Sequence, residues 1–396
     1  MTPSRILLLG AGAMGNLAAQ TVASFPEVGS LLIADLSLTA AQAVASACGD
    51  KAKAARLDVT NPTELMALMR QADLVMNCVG PFFRFGVPVL KAAIEAGLDY
   101  LDICDDPEPT KAMHELHDQA KAAKITAIVG LGASPGITSM LAARAREELD
   151  ETEELIAAWN IEEDAGGDDK VAYSAAIVHW MQQCSGTILE CDNGNLVEKK
   201  PLVEVSLDYP GRGTRTVYTV GHPEPVSFHY SFPDLQRSFC VMVMPGLWIK
   251  EFRKLAAEID QRTMTLEEAG KKLVEGAGAS SFIDKIIENV SSLFDHPRLP
   301  IFFALAKGKK DGRPARVATA IRSIPPGMAR ATGIPLALGT RLYLQGRVAT
   351  KGVIAPEIAF QSAEFFDLLA PYCTFPGPQD ASELVEVARE HDLSAL

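Results

Sequence analysis

An apolar run, Ile6 to Leu9, ends at three glycines spaced Gly10-x-Gly12-x-x-Gly15, and a stretch of small helix-forming residues follows. Between a buried strand and a helix, this spacing suits the pyrophosphate of a dinucleotide. Gly10 permits the tight turn, Gly12 lets the backbone approach the phosphates, and Gly15 lets the helix pack close to the strand. Ala13 and Met14 open that helix, whose free N–H groups point at the anion. Asp35 lies twenty residues past Gly15, where a carboxylate accepts from the ribose hydroxyls. Leu36 follows, and no Lys or Arg occurs before Lys51, so a 2′-phosphate would meet a carboxylate without a guanidinium. The expected cofactor is therefore NAD rather than NADP. Asp58, in "LDVTN", either holds the adenine amino group or caps the helix that begins near Pro62. Cys78, Val79, Gly80 and Pro81 follow an apolar run and are expected to line the nicotinamide ribose.

The elements that must hold these residues alternate along the first 135 residues. Strands are expected at Ile6–Leu9, Ser30–Ala34, Ala54–Leu57, Leu74–Cys78, Tyr100–Ile103 and Thr126–Val129. Helices are expected at Met14–Ser24, Thr39–Cys48, Pro88–Ala96 and Pro109–Ala123, with one opening at Asn61 or Thr63. Apolar strands alternating with helices predict a parallel sheet covered on both faces. After a helix at Ile137–Leu149 the strands lengthen and alternate with polar residues, as in "LVEVSLDYP" and "TRTVYTVG". A long helical tract is expected from Thr265 to Leu293, then a hairpin turning at Asp311-Gly312. A helix at Pro335–Gly346 and a final acidic helix close the chain. The division expected is 1–135 for dinucleotide binding, 136–334 for substrate and dimer contacts, and 335–396 for helices packing on the first domain.

Composition narrows the partners. The 396 residues carry a net charge of −13 and no basic tract, which argues against nucleic acid and anionic membranes. The seven cysteines include no CxxC pair, so neither a disulfide framework nor a metal site is expected, and a reducing cytoplasm fits. The first apolar run is too short for a signal-peptide core. The longest later one, Ile125 to Ala143, is broken by Gly130, Gly132, Pro135 and Gly136 and reads as strand, turn and helix.

"GAGAMG" (10–15), "CVGPFFRFG" (78–86), "GLDYLDICDD" (97–106), "GLGASPGITSMLA" (130–142), "VGHPEPV" (220–226) and "KGVIAPE" (351–357) together resemble the saccharopine dehydrogenase-like family. That family includes saccharopine reductases, lysine 6-dehydrogenases and carboxynorspermidine dehydrogenases. The resemblance implies a Rossmann doubly wound parallel sheet with an inserted α+β substrate domain and C-terminal helices returning to the first domain. It implies hydride transfer at a C–N bond of an amino acid or an amino acid/polyamine conjugate, and a homodimer. This chain has Ser134 where saccharopine reductases carry an acid, Leu36 where they carry an Arg, and Phe85 where the family carries a Tyr.

An amine substrate needs a polar group to hold its nitrogen, a proton acceptor, and a cation for its carboxylate. Asp102 and Asp105 are candidates for the ammonium, with loop charge or helix capping as the alternative. Tyr100 is a candidate proton relay, or core. Ser134, Pro135 and Gly136 open a helix that could face substrate or cofactor, or serve as an ordinary cap. His222, in "GHPEP", is a candidate for proton transfer, with Glu224 beside it; the alternative is a turn histidine. His179 and Trp180 line the pocket or pack the second domain. Arg84, Arg212, Arg215 and Arg237 are candidate carboxylate clamps, Arg84 being best placed, in "PFFRFG" on the loop expected after the fourth strand. Cys104 reads as packing. Two other functions remain open: a C–O dehydrogenase acting on a semialdehyde, and a non-catalytic NAD-binding protein.

Overall fold

A computed structural model describes residues 3–161, 178–244, 246–273, 298–374 and 377–391. The first sheet has seven parallel strands in the order β15-β6-β5-β4-β1-β2-β3. These are β1 (Ser4–Leu9), β2 (Val28–Asp35), β3 (Ala52–Arg56), β4 (Leu74–Asn77), β5 (Asp99–Asp102), β6 (Thr126–Ile128) and β15 (Gly352–Ile354). In β1, Ile6 and Leu8 enter one apolar cluster while Leu7 and Leu9 enter the one on the opposite face. A strand buried on both faces must be apolar at every position there, which is why β1 reads as an unbroken run from Ile6 to Leu9.

Helices α1 (Ala13–Ala23), α2 (Leu38–Cys48), α3 (Pro62–Met69), α4 (Phe82–Ala96), α5 (Pro107–His114) and α6 (His117–Ala122) connect the strands. Asn61 caps α3 by accepting from the Thr63 and Glu64 N–H groups. Two boundaries differ from the sequence expectation. Helix α4 starts at Phe82 and keeps Pro88 inside it, so "PFFRFG" is helix rather than loop. The expected Pro109–Ala123 helix is two helices, broken after His114.

Helix α7 (Ile137–Arg146) leads into the second sheet, ordered β10-β11-β12-β7-β13-β14-β16, with β8 pairing β12 and β9. Its strands are β7 (Glu151–Asn160), β8 (Ile188–Asp192), β9 (Asn195–Lys199), β10 (Glu204–Tyr209), β11 (Gly213–Val220), β12 (Arg237–Val243), β13 (Phe302–Lys310), β14 (Arg313–Ile321) and β16 (Val385–His391). Within the second sheet, only β7 and β12 pair in parallel among the described strands. The β13–β14 hairpin turns at Asp311 (φ 51°) and Gly312 (φ 73°), as its sequence predicts. Helices α8 (Glu224–Ser231), α9 (Gly246–Asp260), α10 (Met328–Leu344) and α11 (Ser362–Leu369) are also part of the frame. Helix α10 starts at Met328 and keeps Pro335 inside it, rather than starting at Pro335 as expected. Residues 266–273 of the expected 265–293 helix are helical, and 274–297 lie outside the described residues.

The expected final acidic helix is instead the edge strand β16, antiparallel to β14. Its acids meet cations across the sheet. Glu386 accepts from Arg212 at 3.0 Å, and Glu390 pairs with Arg316 at 3.1 Å. No described helix is long and apolar enough to cross a membrane.

One apolar cluster runs through both sheets, from Ile6 and Leu101 to Trp159, Phe228 and Val317. Helix α10 closes it from the far side by lying against α1. A Cβ on Gly333 would sit 2.6 Å from the Met14 carbonyl and 3.0 Å from the Ala18 nitrogen. Backbone cannot yield as a side chain can. Gly333→Ala is therefore expected to destabilise the fold by about 1–3 kcal/mol, read as a lower midpoint in chemical denaturation.

Candidate active site

The site is built from the carboxyl ends of β1, β4, β5 and β6, where an open α/β sheet binds its ligands. Gly10 has φ +93°, and a Cβ there would lie 2.8 Å from the Cys78 carbonyl. A Cβ on Gly15 would lie 2.0 Å from the Gly10 carbonyl. Gly12 meets nothing within 4 Å and forms the N-cap of α1, so the first turn of that helix borders open space. This is the cradle a pyrophosphate requires. Asp35 accepts from the Ala11 N–H at 2.7 Å and the Ser37 N–H at 2.8 Å, which fixes its carboxylate beside the glycine turn.

Asp58 does not cap α3, because Asn61 does. Its carboxylate is held by the Thr60 hydroxyl (2.6 Å) and N–H (2.9 Å), and these bonds lower its pKa, helped by Arg56 and Arg84. Cys78 lies beneath the glycine turn, 3.4 Å from the position of a Gly15 Cβ. Burial, and then the Asp102 charge, push its thiol up to about 12. Val79 donates to the Asn77 side chain, and the Gly80–Pro81 bond is cis. Arg84 is not on a loop. It lies on the exposed face of α4, with its guanidinium 5.0 Å from the Phe85 ring centre.

The two residues of β5 expected to act directly are sealed. Asp102 and Tyr100 are both 0% exposed. Tyr100 donates to Asp102 at 2.8 Å, and the Cys104 and Gly130 N–H groups donate to the other oxygen at 3.0 and 2.8 Å. A substrate ammonium finds no free face on this carboxylate. Asp105 is the more accessible acid, with its Oδ2 3.5 Å from His179 Nε2.

His222 and Glu224 form the polar centre. Glu224 is 0% exposed, and its Oε1 accepts from Ser134 Oγ at 2.7 Å and Thr138 Oγ1 at 2.6 Å. Its Oε2 bonds His222 Nδ1, and Cys240 Sγ donates to the same oxygen at 3.5 Å. Burial alone would raise the Glu224 carboxyl. The His222 ring and the two hydroxyls outweigh it and draw the group down to about 2. With Nδ1 committed, Nε2 is the ring nitrogen left to exchange a proton. Trp159 tilts against the His222 ring at 4.7 Å between centres, and the His179 ring stands edge-on at 6.3 Å.

The turn before α7 presents Ser134 to this centre. Gly136 (φ +121°) is the N-cap, folded so tightly that a Cβ would lie 2.0 Å from the Gly132 carbonyl. Ser134 is therefore a partner of Glu224 rather than a cap. Arg212 and Arg237 are engaged by Glu386 and Glu154, and Arg215 donates to the Thr214 carbonyl. Asn77, Thr138, Trp159 and Cys240 were not evident from sequence. Thr138 had a signal, four residues past Ser134 on a helix; Trp159 and Cys240 lie on separate strands and had none. The fold also brings ligand-capable atoms of Asp105, Asp106 and His179 within 4.8 Å of one another, and likewise those of His222, Glu224 and Cys240. No sequence spacing announces either trio.

Residues 6–128 match the family model for the saccharopine dehydrogenase NADP binding domain. Carboxyaminopropylagmatine dehydrogenase of Synechocystis sp. is 25% identical over 377 residues, covering 89% of this chain and 92% of that protein. The saccharopine dehydrogenase-like oxidoreductase of Mus musculus is 42% identical over 73 residues, only 17% of its length. Among solved structures, saccharopine dehydrogenase (L-Glu forming) from Saccharomyces cerevisiae superposes with a TM-score of 0.63 at 15% identity, covering 98% of this chain and all of that one. Homospermidine synthase from Legionella pneumophila, solved with NAD, gives 0.55 at 12% identity, covering 99% and 92%. These likenesses bear out the family resemblance and the expected fold class.

Gly12→Trp is expected to keep the wild-type melting temperature and lose NADH binding by calorimetry, whereas Gly15→Ala loses the fold, since only the second Cβ meets backbone. Glu224 should also leave a pH signature. Its folded-state value of about 2 lies below an unfolded value of about 4.3, so its stabilisation is complete above that unfolded value and lost as pH falls toward 2. The stability difference between wild type and Glu224→Gln should therefore shrink across that window in urea titrations.

Proposed function

We propose that this chain, an NAD(P)-dependent oxidoreductase of the saccharopine dehydrogenase-like type, acts on a C–N bond of an amino acid or an amino acid/polyamine conjugate. The observation that carries the reading is the buried His222–Glu224 pair, anchored to Ser134 and Thr138 at the carboxyl edge of the dinucleotide-binding sheet. The name of the Synechocystis relative, a dehydrogenase of a carboxyalkylated amine, supports the substrate class. A bound nicotinamide supplies or accepts the hydride. The protein must then manage a proton on nitrogen. His222 Nε2 takes it from the amine in oxidation, or returns it in reduction. Glu224 holds the ring in the tautomer with Nδ1–H and stabilises the imidazolium. Asp105 takes a cationic part of the substrate on this reading, which its partial exposure and its 3.5 Å approach to His179 support.

NAD is the preferred cofactor on this reading. Asp35 repels a 2′-phosphate, and Leu36 beside it is 62% exposed, with no Lys or Arg following before Lys51; the cation nearest in the sheet, Arg56, stands opposite Asp35 on β3. The matched family model is described as NADP binding, so the preference rests on this chain's own residues. Free thiols at all seven cysteines fit a reducing cytoplasm, and a homodimer follows from the family resemblance.

Purified protein should turn over NAD with a carboxyalkylated amine or diamino acid in an absorbance screen, and more weakly with NADP. His222→Asn should lower kcat by about 100-fold or more without changing NADH affinity. Turnover confined to semialdehydes would replace this reading with C–O chemistry. Cofactor binding without any turnover would make the chain a non-catalytic NAD-binding protein.

A further inference from the structure

Four loops converge on the expected nicotinamide edge, and one buried carboxylate connects three of them. The chain of contacts starts at Val79, whose N–H donates to Asn77 Oδ1 at 3.0 Å. Asn77 Nδ2 donates to Tyr100 Oη at 2.9 Å, and Tyr100 Oη donates to Asp102 Oδ2 at 2.8 Å. Asp102 Oδ1 then accepts from Cys104, which leads to Asp105, and from Gly130, which leads to the Ser134 turn. The Asp102 carbonyl takes the next N–H of that segment, Leu131, at 2.8 Å. Asn77, Tyr100 and Asp102 are all 0% exposed.

We propose that Asp102 is a positioning residue, whose carboxylate brackets the cofactor loop, the Asp105 loop and the Ser134 turn at a set spacing. The assignment rests on the hydride-transfer reading above for its consequence, although not for its geometry. A buried carboxylate must be met by donors, and here every donor comes from a different strand end or from the side chain between them. The Asp105 loop and the Ser134 turn share Asp102 Oδ1 as acceptor, and the cofactor loop is tied to Oδ2 through Asn77 and Tyr100, so none can shift without breaking a buried hydrogen bond. Hydride transfer depends on that spacing, since reacting atoms must meet at about 3–3.5 Å and a 1 Å misplacement costs about 100-fold. Asp102 itself touches neither ligand, because it has no exposed surface.

The neutral isostere separates position from charge. In Asp102→Asn the remaining Oδ1 still accepts from Cys104 and Gly130, and the amide can donate to Tyr100 Oη. Asp102→Ala removes the bracket. Tyr100→Phe cuts only the arm toward Asn77, and decides the matter if the alanine variant fails to fold. Each full-length variant is read in complex with NADH by amide hydrogen exchange over residues 77–81, 103–107 and 130–137, by NADH affinity, and by kcat and KM on the substrate found in the screen.

Asp102→Asn should keep wild-type protection and stay within about fivefold in kcat, whereas Asp102→Ala should lose about 100-fold in kcat with KM and NADH affinity little changed. Its faster exchange should extend over the 77–81, 103–107 and 130–137 segments, whereas that of Tyr100→Phe should be confined to 77–81. Equal inactivity of both Asp102 variants with protection intact would show that the charge acts on the substrate, and overturns the proposal. So would wild-type kcat and protection in Asp102→Ala, or wild-type protection at 77–81 in Tyr100→Phe. If the screen finds no substrate, the exchange experiment still decides whether the bracket exists.

Discussion

The centre of this protein depends on making one buried charge tolerable. The Glu224 carboxylate has no exposed surface, and an ionised carboxylate stripped of water is costly unless its oxygens are met by donors. Four side chains meet them: Ser134, Thr138, His222 and Cys240. They come from the connection after β6, from α7, from the turn after β11 and from β12. The requirement to satisfy one group therefore ties the dinucleotide-binding sheet to the second sheet. It also orients the imidazole, because Nδ1 is the nitrogen consumed.

The frame around that group is rigid for a related reason. The two sheets share a single apolar cluster, closed where α10 crosses α1 at Gly333. Gly10, Gly15 and Gly136 hold backbone so close to backbone that no side chain fits. Gly12 differs from these three: its neighbourhood is open. The same motif thus contains glycines that build the turn and one that leaves room for a ligand. Only the second kind is free to change without loss of the fold.

The two halves of the site were legible to different degrees. The cofactor half is local: a strand, a glycine turn, a helix and the next strand's terminal Asp35 lie within one short segment, and each part has a sequence mark. The substrate half joins residues that are 86 and 90 positions apart, as in Thr138 and Ser134 with Glu224. His222 stood out because it lies in the distinctive motif "GHPEP". Asp102 stood out by type and place but was misread in role, since a sequence does not say which way a carboxylate beyond a strand end turns. The final acidic segment was misread for the same kind of reason. Glu386 and Glu390 look solvated until Arg212 and Arg316 are found opposite them. Prolines misled at α4, where Pro88 lies within the helix it seemed to begin.

Sequence alone therefore determined the parallel α/β architecture, the glycine turn and the acid that ends the second strand beside it, because short-range spacing and side-chain periodicity carry that information. The tertiary structure decided which carboxylates are braces and which face the cleft. It also decided which serine is a cap and which a partner, and which histidine nitrogen is left for chemistry. Those outcomes depend on burial and on donors supplied by distant segments, and only the packed chain brings such groups within hydrogen-bonding distance.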